Sequence, residues 1–175
     1  MRAEGTIDMN RIAGIGLAIP DDFGGVDLPN RPPEFSIWET VDTKHLLSAH
    51  GLEVITENDA TAASIGELQF GHGRVAQTFF YLLVNAGLGG GLVIDGHSVA
   101  GASGRSGEIG FLPIGRARRK AAVLQDVVSL SGLYSHLSQA GFPAPAPLDR
   151  LNPATSEAAS QWVEKAADLL TEPLM

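Results

Sequence analysis

The sequence predicts a protein of the α/β fold class. Short apolar segments suited to β-strands alternate along the chain with segments of helical periodicity, and Gly and Pro separate many of them. The chain has 175 residues, of which 44% are hydrophobic and 18% charged. This composition suffices for one well-buried core and falls short of two full domains, so we expect one compact soluble unit.

The first predicted elements are a strand, a loop and a helix. Residues 12–19 are small and apolar and end at Pro20, which is typical of a buried strand. Residues 21–39 are rich in Gly, Pro and Asp and indicate a long ordered loop, a kind of segment that is often functional. Residues 41–50 can form a short helix.

A strand-to-helix junction is predicted next. Residues 52–56 read as a short strand and residues 58–70 as a helix. The helix turns three apolar side chains toward the core: Ala60, Ala63 and Ile65. Asn58 and Asp59 therefore lie at the junction.

A β-meander follows the junction. Residues 77–84 and 92–95 read as strands, and Asp95-Gly96 predicts a tight turn into residues 97–100. The glycine cluster Gly87-Leu88-Gly89-Gly90-Gly91 falls between the first two strands. We therefore expect these glycines at the first turn of the meander.

The remaining elements are helical. Residues 108–114 lead to a basic segment at 116–120 and to two helices around residues 121–130 and 133–140. A Pro-rich connector at 142–153 precedes a last helix at about 156–170, for which Ser156 is the predicted N-cap.

Charge and composition exclude several classes of protein. Twelve Lys and Arg against 20 Asp and Glu give a formal charge of −8, which repels nucleic acid over most of the surface. The chain has no cysteine, so it can form neither a disulfide nor a thiolate metal site. No signal peptide and no long apolar run are present, which favours a cytoplasmic protein without a membrane segment.

Two motifs carry candidate chemistry, and each also has a purely structural interpretation. Asp59 beside Asn58 can hold or deprotonate a hydroxyl, but an Asp in the first turn of a helix often only complements the helix dipole. Consecutive glycines leave backbone N–H groups open to an anion, but glycine-rich turns are common. Taken singly, the structural interpretation is favoured for both.

In their order along the chain, the motifs resemble those of the ROK family, which groups sugar kinases with sugar-responsive repressors. The matching motifs are the strand ending at Pro20, Glu57-Asn58-Asp59-Ala60, the glycine cluster with Asp95-Gly96, and Gly107-Glu108-Ile109-Gly110. The resemblance implies a ribonuclease-H-like lobe of the actin and sugar-kinase type, with a mixed sheet flanked by helices. It implies a division into the final strand of a first lobe (1–20), a loop and connecting helix (21–51), and an incomplete second lobe (52–175).

The resemblance also assigns roles to individual residues. Asp59 takes the place of the catalytic base of a sugar kinase, Asn58 would bind an adjacent sugar hydroxyl, and Glu108 would bind hydroxyls from the opposite wall. A vestigial phosphate-binding turn would be formed by four glycines: Gly87, Gly89, Gly90 and Gly91.

The chain departs from the sugar-kinase pattern at several positions. Phe111 replaces the His of a structural zinc site whose other ligands are cysteines, so we expect no zinc or other metal. Gln125 offers an amide where a sugar-binding carboxylate is expected. Residues 85–87 read Asn-Ala-Gly, without the usual hydroxyl of the phosphate turn. We expect no cofactor, and ATP with Mg²⁺ only if the protein is a kinase.

These departures favour a sugar-sensing domain of a transcriptional regulator, which binds a hexose-like effector. The alternative is a fragment of a sugar kinase that phosphorylates a hexose or an N-acetylhexosamine, although this chain alone is expected to be inactive because half of the ATP site has no counterpart. A scaffold whose site has decayed is a third possibility. We expect at least a dimer.

DNA binding is expected only through a separate domain. Residues 124–140 have the outline of a helix-turn-helix with Gly132 at the turn. The second helix, however, carries no Lys or Arg to contact phosphates, so a pair of packing helices is favoured. The basic segment at 116–120 is interpreted as a solvated loop.

Overall fold

The computed structural model describes residues 11–20, 40–48, 51–102, 106–114, 122–142 and 152–174. The strands are β1 (Gly14–Ile19), β2 (Glu53–Asn58), β3 (Phe79–Val84), β4 (Leu88–Ile94) and β5 (His97–Ser98), and the helices are α1 (Thr43–Ser48), α2 (Asp59–Phe70), α3 (Leu124–Val127), α4 (Leu130–Gln139) and α5 (Pro153–Leu174). Short 3₁₀ helices span His72–Arg74 and Ile109–Phe111. The predicted loop at 21–39, the basic segment at 116–120 and residues 143–151 of the connector lie outside the described residues.

The N-terminal strand β1 pairs in parallel with β2. The register runs from Gly14 opposite Glu53 to Ile19 opposite Asn58. Exposure alternates along both strands, so each has one face toward the protein and one toward solvent. The pairing places residues 14–19 and 53–58 in one sheet.

Helix α2 begins where β2 ends. Asn58 caps it, because Asn58 Oδ1 accepts a hydrogen bond of 2.9 Å from the backbone N–H of Thr61. Ala60 and Ser64, four residues apart, form its buried stripe. The other residues predicted to face the core, Ala63 and Ile65, are half-buried.

The second sheet is an antiparallel meander in the order β3-β4-β5. The expected position of the glycines at its first turn is wrong for three of them: Gly89, Gly90 and Gly91 lie inside β4, opposite Leu83, Leu82 and Tyr81. The turn itself comprises residues 85–87, where the N–H of Asn85 donates to the carbonyl of Gly87. The predicted Asp95-Gly96 turn is confirmed by positive φ angles of 49° and 75°.

The main core lies between β4 and the C-terminal helices. Its buried members are Leu88, Leu124, Val128, Leu133, Leu137, Ala158, Trp162 and Ala166. The indole Nε1 of Trp162 donates a 2.8 Å hydrogen bond to the carbonyl of Val127, which fastens α5 to the end of α3. The predicted cap at Ser156 is wrong: α5 starts at Pro153, and Asn152 Oδ1 accepts from the N–H of Thr155.

Helices α3 and α4 form a packing pair, as the sequence favoured. Gly132 lies within the first turn of α4 rather than in the turn between the helices, close to the backbone of Val127. Both helices contribute side chains to the core. Among the described helices, none is long and apolar enough to cross a membrane.

Candidate functional site

The β2–α2 junction places two of the predicted site residues side by side. Asn58 is the last residue of β2, and its Oδ1 accepts the capping hydrogen bond of α2. Its Nδ2 donor takes no part in that bond. Asp59 is the first residue of α2, and its Oδ1 accepts a 2.8 Å bond from the N–H of Ala60. Both side chains are half-buried. The cap and the strand pairing therefore fix an amide and a carboxylate at the carboxyl end of a parallel strand.

The glycines of β4 allow close approach from both faces of the sheet. A Cβ on Gly91 would collide with the side chain of Ser64 and stand 3.0 Å from the carbonyl oxygen of Ala60. A Cβ on Gly89 would stand 3.2 Å from the Cβ of Ala60. Packing of α2 against the strand is thus sufficient to require small residues here. Phosphate contact by these glycines stays a prediction.

The segment that carries Glu108 packs on the opposite face of β4. It precedes the 3₁₀ helix Ile109–Phe111 and follows Gly107, whose backbone packs against Gly90. Strand β4 is therefore held between α2, which begins at Asp59, and the Gly107–Gly110 segment, which carries Glu108. The structure thus places Asn58 and Asp59 side by side, and it places the segment that carries Glu108 on the face of β4 away from α2.

Gln125 belongs to the Glu108 side of the site. Its side chain is 5% exposed and lies against Gly110, since a Cβ on Gly110 would stand 3.1 Å from Gln125 Oε1. The backbone carbonyl of Gln125 accepts a 2.7 Å bond from the hydroxyl of Ser129, the N-cap residue of α4. The backbone of Gln125 is thus fixed at the α3–α4 corner.

The turn at 85–87 is tied to the same corner. The N–H of Leu130, at the start of α4, donates a 2.8 Å bond to the carbonyl of Asn85. Of the predicted phosphate-binding glycines, Gly87 alone belongs to this turn. Within the described ranges, no group of three or more His, Asp or Glu side chains is arranged to hold a metal ion.

Thr56 is a polar residue near the site that the sequence did not single out. It is half-buried on the same face of β2 as Asn58, and its Oγ1 is buried. The alternation of side chains along a strand was the signal that could have found it, because residues two apart share a face.

Comparison with known proteins identifies the family. The sequence profile described as the ROK family matches residues 10–131 of the 175. The chain belongs to the ROK family. The resemblance stated from the motifs is therefore confirmed.

Relatives in this family include regulators and enzymes. The xylose repressor of Bacillus subtilis is 32% identical over 108 residues, which cover 59% of this chain and 27% of the repressor. The glucokinase of Thermotoga maritima is 33% identical over 105 residues, or 57% of this chain and 32% of the enzyme. The chain spans less than half of the length of these relatives, and both kinds of protein match it about equally well.

Solved structures confirm the fold. A ROK family protein from Streptococcus pneumoniae in complex with sucrose superposes with a TM-score of 0.64 at 18% identity, covering 91% of this chain and 56% of that one. A ROK family glucokinase from Streptomyces griseus gives 0.50 at 27% identity, covering 55% and 33%. The mixed α/β architecture is that of the actin-like, ribonuclease-H-like proteins.

Proposed function

We propose that this chain is a sugar-binding effector domain of a ROK-type transcriptional regulator and that it binds a hexose-like ligand without chemistry. The observation that carries the proposal is the β2–α2 junction, which holds the amide of Asn58 and the carboxylate of Asp59 side by side. An amide beside a carboxylate can donate to and accept from adjacent hydroxyls, which is what recognition of a polyol requires.

The turn at 85–87 supports a sensor over a kinase. Its side chains include no hydroxyl, the N–H of Asn85 is bonded within the turn, and the carbonyl of Asn85 is bonded to α4. Phosphoryl transfer depends on several groups positioned around the phosphates. The similarity to a xylose repressor points in the same direction.

A sugar kinase is the second candidate, and Asp59 is the residue that favours it. A carboxylate at the first position of a helix, beside an amide, suits a base that takes a proton from a sugar hydroxyl. The similarity to a glucokinase supports this candidate. Only a kinase would require ATP and Mg²⁺. Neither of the two candidate functions would require zinc.

Further properties concern a whole protein longer than this chain. In a regulator, a separate domain would bind DNA, and the protein would form at least a dimer in the cytoplasm. The division at residues 20 and 51 would separate the end of a first lobe from the second, with Asp59 and Gln125 in the second.

Calorimetric titration tests the proposal. The chain is titrated with D-glucose, D-xylose and N-acetylhexosamines, each with and without MgATP. The proposal expects binding of at least one sugar and no effect of ATP. Asp59→Asn should weaken that binding, whereas Asp95→Asn, a control in the exposed β4–β5 turn, should not. Formation of a sugar phosphate would establish the kinase instead, and absence of binding to every sugar would indicate a decayed site.

A further inference from the structure

Two buried polar atoms have no hydrogen-bond partner within the part of the chain that the structure describes: Thr56 Oγ1 and Gln125 Nε2. Native proteins leave few such groups unpaired, because each one lowers stability. Both lie next to residues of the candidate site. Thr56 is two residues before Asn58, and Gln125 contacts the turn that carries Glu108.

The surroundings of Thr56 offer it no partner in the neighbouring strand. Thr56 is opposite Leu17 in the β1–β2 register, and Asn58 is opposite Ile19. Valine has nearly the same shape as threonine and would fill this place without an unpaired hydroxyl. Among the residues that the structure describes, none accounts for the hydroxyl of Thr56.

The surroundings of Gln125 are similar in kind. Its neighbours along the chain, Leu124 and Val128, belong to the apolar core. The amide rests with Oε1 against Gly110, two residues after Glu108, and Nε2 is left unpaired. Methionine would match the length of this side chain without an unpaired donor.

We infer that Thr56 and Gln125 are positioning residues of the sugar site, which rests on the function proposed above. Each keeps a hydrogen-bonding group that pairs with no other described residue. When a sugar binds, the hydroxyl of Thr56 forms a hydrogen bond with the side chain of Asn58. The side-chain amide of Gln125 donates a hydrogen bond to the carboxylate of Glu108. Each positioning residue thus orients one side chain that contacts the sugar.

Isosteric substitutions separate this role from a structural one. Thr56→Val and Gln125→Met each remove one unpaired group and keep the volume. We expect the affinity for the best-binding sugar of the panel to fall about tenfold in each variant, the loss typical of one hydrogen bond to a polar group. The midpoint of thermal unfolding without sugar should stay the same or rise. Thr56→Ser retains the hydroxyl and should retain the affinity.

Matched controls come from paired groups away from the site. Thr155 is buried, and its Oγ1 lies 3.1 Å from Asn152 Oδ1, so Thr155→Val should lower the midpoint and leave the affinity unchanged. Gln139 is exposed and bonded to Ser135, so Gln139→Met should change neither quantity.

The two measurements decide separately. The inference is overturned if Thr56→Val and Gln125→Met lower the midpoint as Thr155→Val does, or if they leave the sugar affinity unchanged. If the wild-type chain binds none of the sugars, the proposed function fails. A rise of both midpoints would then still support two groups reserved for a different ligand, and a fall would refute that as well.

Discussion

Gly107 lies so close to Gly90 that a Cβ on Gly90 would stand 2.9 Å from the carbonyl oxygen of Gly107. The contact is between two backbones, and a side chain at either position would push them apart. Because Glu108 directly follows Gly107, this contact fixes the position of the Glu108 backbone relative to β4. The glycines of the strand thus position a candidate ligand-binding carboxylate.

Gly91→Ala should destabilise the protein strongly. The new methyl group would meet the side chain of Ser64 and the backbone of Ala60, both on the buried stripe of α2. Overpacking of this kind costs about 1–3 kcal/mol, and the rigid backbone favours the upper half of that range. Urea unfolding followed by circular dichroism measures the change.

Gly66→Ala is the matched control for this prediction. Gly66 lies in α2, and no atom of another described residue stands within 4 Å of the place where its Cβ would be. Replacing a helical glycine by alanine stabilises by up to about 1 kcal/mol. Equal effects of the two substitutions would show that glycine at residue 91 serves something other than packing.

The glycine cluster also shows which features of the fold could be predicted from the sequence and which could not. Motif order identified the family and placed Asn58 and Asp59 at a strand-to-helix junction, because an N-cap residue and the helix that follows are local signals. The glycines were expected in a turn because glycine is common there. Their position inside β4 depends on Ser64 and Gly107, which are distant in sequence. Contacts of that kind leave no local trace.

Asn152→Ala should destabilise α5, whereas Ser156→Ala should not. Asn152 Oδ1 accepts a 3.0 Å bond from the N–H of Thr155, whereas Ser156 is the fourth residue of the helix. Loss of an N-cap costs about 1 kcal/mol, and an exposed substitution inside a helix costs much less. Urea unfolding of both variants measures the difference. A larger loss of stability in Ser156→Ala than in Asn152→Ala would indicate that Ser156 is the N-cap.

Trp162→Phe should weaken the attachment of α5 to the core. The substitution keeps an aromatic ring but removes the 2.8 Å bond to the carbonyl of Val127. The expected loss is about 1 kcal/mol, a typical net value for one hydrogen bond, because the carbonyl of Val127 keeps a 3.1 Å bond from the N–H of Ser129. Val163 is 54% exposed, so Val163→Ala serves as a control and should change stability by less than about 0.5 kcal/mol. Similar losses for both would argue against the hydrogen bond as the cause.

The end of α2 should respond to acid through Glu67. Glu67 Oε1 accepts bonds from the backbone N–H of His72 at 2.7 Å and from its Nδ1 at 3.1 Å. The pKa of Glu67 lies below its ordinary value. The hydrogen bond from the backbone N–H of His72 is the largest cause, and the bond from the His72 side chain is the second. A carboxyl group whose pKa is lower in the folded state stabilises the fold fully above the unfolded value of about 4.3. That contribution is lost as the pH falls through the folded pKa.

Glu67→Gln should therefore lower stability at neutral pH, and its difference from the wild-type protein should shrink as the pH falls below about 4.3. His72→Ala removes the Nδ1 bond and keeps the backbone N–H, so the pKa of Glu67, followed by NMR titration, should stay below its ordinary value. A return of that pKa to the ordinary value in His72→Ala would assign the effect to the imidazole ring rather than to the backbone at the end of α2.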